Sequence, residues 1–172
     1  ASAREGVELL TGIYDTVGAG YEGAGTMICD QKEQWYVESL SGHEYIAVLL
    51  PATVTFMQFN VSVLGEIDLD DTEHLIASDH LFDVAKAAGT FVGNEDENVI
   101  DYRASYNDYM MKAEDEDWPA EWREHVQERL AAGLNFLEGT EEWTVDNVLK
   151  DNHFVMTNLD EDGKITSLHN DL

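Results

Sequence analysis

Asn158, Asp160 and Asp162 stand at alternate positions and are followed by Gly163 and Ile165. Oxygen ligands at positions one, three and five, glycine at six and an aliphatic residue at eight make the first half of a twelve-position calcium loop. Position twelve, which should bring a bidentate carboxylate, is His169. The three residues are kept as candidate metal ligands beside a plainer reading, an Asp-Gly hairpin turn. Gly18, Gly20 and Gly23 match the spacing of a dinucleotide-binding glycine loop, a mechanism that needs a strand before the loop and a helix after it. Here the periodicity runs the other way and Glu22 sits inside the loop, so the segment reads as a helix-to-strand connection.

The six histidines invite a metal reading at His74, Asp79 and His80. His74 and His80 are six residues apart and would point to different sides of one helix, and no His or Cys spacing typical of zinc sites occurs. The single cysteine, Cys29, follows Thr26, Met27 and Ile28. It cannot form an internal disulfide and is expected to be a buried core thiol. No nucleophile elbow is present, and pairs of carboxylates are too common in this composition to mark a site. The residues therefore point to no catalytic group and no cofactor.

Charge is the dominant property. Among 172 residues, 36 Asp and Glu face 9 Lys and Arg, for a formal net charge of -27. Electrostatic interactions reach roughly 8 Å at physiological ionic strength and about 3 Å at 1 M salt, so the fold should tolerate salt and gain from it. Nucleic acid and anionic membrane surfaces are excluded as partners, because binding them requires clustered Lys and Arg. With 44% hydrophobic residues the chain has enough apolar material for a real core. The N-terminal residues lack the apolar stretch of a secretory signal, and the uncharged run from Tyr45 to Leu64 is broken by Pro51, Gln58, Asn60 and Ser62. The expectation is a cytoplasmic protein without a membrane span.

The elements that must position these residues follow from periodicity. Val7, Leu10, Ile13, Tyr14 and Val17 predict an opening helix from about Arg4 to Val17. Apolar and β-branched runs at 26–29, 34–40, 45–50 and 53–64 predict an antiparallel sheet of three or four strands. A helix capped by Thr72 or Ser78 should carry Leu75, Leu81, Phe82, Val84, Ala85 and Ala88 and end at Gly89. Segments 90–92 and 98–105 flank Glu95, Asp96 and Glu97 as a hairpin with an acidic tip. The run Glu114, Asp115, Glu116, Asp117 then leads into a helix through Trp122, Val126, Leu130, Leu134 and Leu137. A hairpin about Asp160–Gly163 closes the chain. The fold class is α+β: an antiparallel sheet with helices packed on one face, in the order α-βββ-α-ββ-α plus a C-terminal hairpin. It is read as one domain over 1–172, with 140–172 as a C-terminal extension.

That order, with the acidity, resembles the type III secretion chaperone-like architecture over about Arg4 to Gly139. The resemblance implies a small acidic module, often dimeric, that binds a protein partner. A second resemblance, carried by Asp162 to His169, is to nuclear-transport-factor-2-like domains, whose curved sheet forms a cone around a small-molecule pocket. Three functions follow as expectations: a non-enzymatic protein-binding module, a DNA mimic that occupies a basic nucleic-acid-binding protein, and a small-molecule-binding or catalytic domain of a salt-adapted organism. On the first two, Glu95, Asp96, Glu97, Glu114, Asp115, Glu116 and Asp117 meet a basic protein partner. Tyr102, Tyr106 and Tyr109 then add an adaptable aromatic contact.

Overall fold

A computed structural model describes residues 1–20, 24–53, 56, 62, 64–106, 156–159 and 165–169. The expected helix through Trp122 to Leu137, the acidic run 114–117, Tyr109, Asp160 and Asp162 lie outside the described residues, as does most of the expected strand 53–64. The positions of that strand which are described, Thr53, Phe56, Ser62 and Leu64, are not in strand conformation.

Helix α1 spans Ala3–Val17 and begins with a capping box. The Ser2 hydroxyl accepts from the Glu5 amide, and the Glu5 carboxylate accepts from the Ser2 amide, satisfying two of the amide donors a helix start leaves open. A third, the Ala3 amide, donates to Asp30 Oδ2 at 2.8 Å. The α1 start is thereby tied to the turn between β1 (Ala24–Cys29) and β2 (Gln34–Ser41).

Strands β1, β2, β3 (Glu44–Leu50) and β5 (Leu75–Ala77) form an antiparallel sheet in that order. Alternation along β2 and β3 sends successive side chains to opposite faces. Trp35, Val37 and Ala47 pack with Ala3 and Val7 of α1 as one buried cluster. Leu40 and Ile46 pack on the other face with Leu81, Ile100 and Tyr102. That second layer is supplied by helix α2 (Leu81–Ala88) and by a small antiparallel sheet ordered β4 (Glu66–Asp68), β7 (Val99–Asp101), β6 (Gly93–Asn94). A five-residue helix α3 (Tyr102–Tyr106) follows β7, and β8 (Met156–Leu159) pairs with β9 (Ile165–His169) as an antiparallel hairpin.

The α+β class and the antiparallel sheets are as expected. Among the described residues the sheets are open, with no barrel. The finer layering differs: α1 and α2 cover opposite faces, because β2 and β3 carry apolar residues at both parities. Three local readings change as well. Residues 75–77 form strand β5 instead of the first turn of a helix, and α2 starts at Leu81 after His80, with no side-chain cap bond. Ser78 is unavailable as a cap because its hydroxyl is bonded to Glu44. Cys29 is exposed rather than buried: it ends β1, and strand alternation turns the neighbouring Ile28 toward the α1 cluster instead.

The hairpin with the acidic tip is present with other bounds: β6 and β7 are joined by a 3-10 turn, Glu95–Glu97, residues 90–92 are not in strand conformation, and 102–106 form α3 instead of continuing the strand. Gly93, at a φ of 155, lies so close to β7 that an added Cβ would sit 2.9 Å from the Ile100 Cα and closer still to the Val99 carbonyl oxygen. Both are backbone atoms that cannot swing away. Gly93→Ala should therefore cost about 2–4 kcal/mol in urea unfolding, the range of strained or overpacked sites. A variant as stable as the parent would show that the hairpin shifts freely.

Candidate functional site

The sheet face beneath α2 holds two buried carboxylates. Glu38 is 2% exposed and Glu44 is 7% exposed. The Ser62 hydroxyl donates to Glu38 Oε1 and the Leu64 amide donates to Oε2 at 3.1 Å. On the other side of the face, the Ser78 hydroxyl donates to Glu44 Oε2 at 2.5 Å and accepts from the Tyr45 amide at 3.2 Å. Tyr102, fully buried, links the two strands: its hydroxyl lies 3.2 Å from the Glu38 carbonyl oxygen and 3.4 Å from that of Glu44. Burial, with Glu38 and Glu44 nearby, holds the Tyr102 hydroxyl protonated far above its ordinary range. The Tyr36 hydroxyl on the same face is pushed up by burial and then by Glu38, and it has no hydrogen-bond partner among the described residues. Buried carboxylates are stable only when their lone pairs are met by donors. Here the donors are hydroxyls and an amide, so the constellation stitches Leu64, Ser78 and α3 to the sheet.

The opposite face carries Tyr45, whose hydroxyl is raised to about 12 by burial and by its bond to Asp15. His43 Nδ1 donates to the Tyr14 carbonyl at 2.6 Å, and the Ala19 amide donates to the Gly42 carbonyl at 2.6 Å. These bonds make Gly18 and Ala19 a structural helix exit, in place of a phosphate loop.

Surface grooves are lined by described residues at two places. One, of about 500 Å³, is lined by apolar groups including Val84, Ala88, Phe91, Val92 and Ala104 beside α2. The other, of about 250 Å³, is lined by Lys32, Glu33, Leu49, Leu50, Pro51, Ala52 and His74. His74 Nδ1 donates to Asp71 at 2.9 Å, and this bond raises the imidazole above 6.5 while lowering the Asp71 carboxyl. The pair is intact between those two values. It is lost as pH rises through the raised imidazole pKa, and again as pH falls through the lowered carboxyl pKa. An NMR titration of the His74 ring should give a midpoint above 6.5 that moves back toward 6.5 in Asp71→Asn. An unmoved midpoint would show that the contact does not persist in solution.

The sequence-derived candidates are dispersed. Glu95, Asp96 and Glu97 are exposed at the hairpin tip, and Glu95 is paired with Lys86, whose ammonium also lies 5.8 and 5.5 Å from the ring centres of Phe82 and Phe91. Tyr102 is buried and presents no surface, and the Tyr106 hydroxyl donates to the Leu81 carbonyl at 2.6 Å. Asn158 lies in β8, opposite Ser167 of β9. His80 sits 4.0 Å from Asp83, and among the described residues no three His, Cys, Asp or Glu are grouped to hold a metal ion. Glu38 and Glu44 were missed, although each is a lone acid within an apolar strand, which is the pattern of a buried carboxylate.

The family model of peptidase family C69 matches residues 1–136, so the chain belongs to that family. It is 36% identical over 121 residues to a probable dipeptidase of Salmonella dublin, covering 70% of this chain and 27% of that protein. It is 37% identical over 106 residues to a probable dipeptidase B of Streptococcus pyogenes serotype M6, covering 62% of this chain and 21% of that protein. A probable dipeptidase B of Lactococcus lactis is 35% identical over 78 residues, or 45% of this chain and 16% of that protein. The part that matches is about a quarter or less of the length of these relatives.

These matches overturn four expectations. The chain is not a member of the type III secretion chaperone-like group, and the readings as a non-enzymatic binding module, as a DNA mimic and as the ligand of a basic protein partner are withdrawn. Element order and acidity are shared by unrelated proteins, because both follow from packing and solvation rather than from a site.

Proposed function

We propose that this chain is part of a peptidase acting on small peptides. The observation that carries the reading is membership of peptidase family C69 over residues 1–136, with relatives described as probable dipeptidases. The two-faced sheet, fastened internally by Glu38, Glu44 and Tyr102, supplies the rigid support that hydrolysis of an oriented peptide bond requires. Among the described residues no serine or cysteine side chain is hydrogen-bonded to a histidine, so the reading assigns no nucleophile to them.

The test is an assay of the intact polypeptide against a panel of free dipeptides, with released amino acids quantified by chromatography. Turnover of dipeptides is expected, well above that of longer peptides. A purified, folded protein that leaves every dipeptide and tripeptide intact would sink the reading.

A further inference from the structure

We propose that the groove between Lys32 and His74 binds the C-terminal carboxylate of a small free peptide, with the peptide's last side chain laid on Leu49, Leu50, Pro51 and Ala52. The inference rests on the peptidase reading for the class of ligand, and on geometry for the place.

In a chain of net charge -27 cations are scarce, and two of the four described Lys and Arg are held in ion pairs. Arg4 is paired with Glu8 and Lys86 with Glu95. Lys32 makes no ion pair within 4 Å among the described residues, and it lines the same groove as His74. Its backbone is fixed, since Asp30 Oδ1 accepts from the Lys32 and Glu33 amides at 2.6 and 2.9 Å while Oδ2 holds the start of α1. His74 is oriented in turn: Asp71 accepts a hydrogen bond from its Nδ1–H, leaving Nε2 as the other ring donor when the imidazole is charged.

Among the described residues the titratable groups lining the groove are Lys32, His74 and Glu33, with Asp71 bonded to His74 and Asp30 close enough to Lys32 to feel its charge. Glu33 is engaged by the Trp35 indole N–H at 3.1 Å. An ammonium and an imidazole that line one groove with Leu49, Leu50, Pro51 and Ala52 suit a carboxylate joined to an apolar side chain. A volume of about 250 Å³ is below the usual range of ligand pockets, roughly 300–1,000 Å³, which favours a ligand of one or two residues.

The experiment is an NMR titration of the 15N-labelled chain with Ala-Leu and, separately, with Ala-Leu amide, which lacks the carboxylate. Saturable shifts are expected at the amides of Lys32, Leu49, Leu50 and Ala52, with the amide ligand bound about tenfold more weakly, the loss of one charge-assisted contact. Lys32→Met and His74→Gln should each weaken Ala-Leu by about threefold to tenfold without changing the thermal midpoint, since both side chains are exposed. Equal binding of acid and amide, binding unaffected by either substitution, or no saturable shift at these four positions would overturn the site. Ala-Leu hydrolysis by the intact polypeptide is followed separately. Hydrolysis without the groove shifts defeats this inference and leaves the peptidase reading standing, whereas groove shifts without hydrolysis do the reverse.

Discussion

Glu38→Leu is expected to destabilise the fold by about 2–4 kcal/mol, the cost of leaving buried donors without an acceptor. Glu38 lies on the sheet face beneath α2, 2% exposed, and holds the Leu64 amide and the Ser62 hydroxyl through its two oxygens. Leucine fills similar space but accepts nothing, so both donors would face an apolar surface. Glu38→Gln keeps one acceptor and removes the charge, and should cost less, about 1–2 kcal/mol. Urea unfolding of the three proteins at one fixed salt concentration measures the difference. Replacing a buried ionisable network by hydrophobic groups is neutral or stabilising in some proteins. A leucine variant at least as stable as the parent would place Glu38 in that category and remove it as the anchor of residues 62–64.

The second large effect is that of salt. With 36 acids against 9 bases, and with most described carboxylates on turns and helix surfaces, the folded state concentrates repulsion that the unfolded chain spreads out. Raising NaCl from 0.05 M to 2 M shortens the screening length from more than 10 Å to under 3 Å. The thermal midpoint should rise by about 10 °C or more, equivalent to roughly 3 kcal/mol at this chain length. KCl should act as NaCl does, while an uncharged osmolyte at equal osmolality should raise the midpoint far less, which separates screening from general exclusion. A midpoint that does not move with salt would mean that the carboxylates are already compensated by bound counter-ions or by one another.

Several parts of the fold could be read from residue patterns. The opening helix follows from Val7, Leu10 and Tyr14 at helical spacing, and Ser2 with Glu5 is a capping box in plain view. The strands β1 to β3 follow from β-branched and aromatic runs, and the acidic hairpin tip from turn residues between apolar segments. These are local rules, in which neighbours in sequence decide the backbone. The same rules misplaced the start of α2, because Leu75, Ile76 and Ala77 are apolar at any period. Only pairing with Ile46, Ala47 and Val48 of β3 makes them a strand. Helical spacing also includes residues that stay at the surface: Ile13 and Val17 are 46% and 77% exposed, and the buried side of α1 is instead Ala3, Val7 and Thr11, with Leu10 and Tyr14 packed against it.

The sequence by itself determined the charge of this protein, its α+β class and the order of its first elements, because composition and short-range periodicity are properties of the chain alone. Tertiary structure decided which acids matter. Glu38 and Glu44 look like any other of the 36 carboxylates until β2 and β3 pair and Ser62, Leu64, Ser78 and Tyr102 pack against them, at which point burial makes their hydrogen bonds costly to lose. It also decided that Lys32 and His74, 42 positions apart by their numbers, line one groove. That juxtaposition comes from the β2–β3–β5 ladder, which brings the β1–β2 turn, the end of β3 and the start of β5 to the same end of the sheet. No periodicity in the chain encodes it.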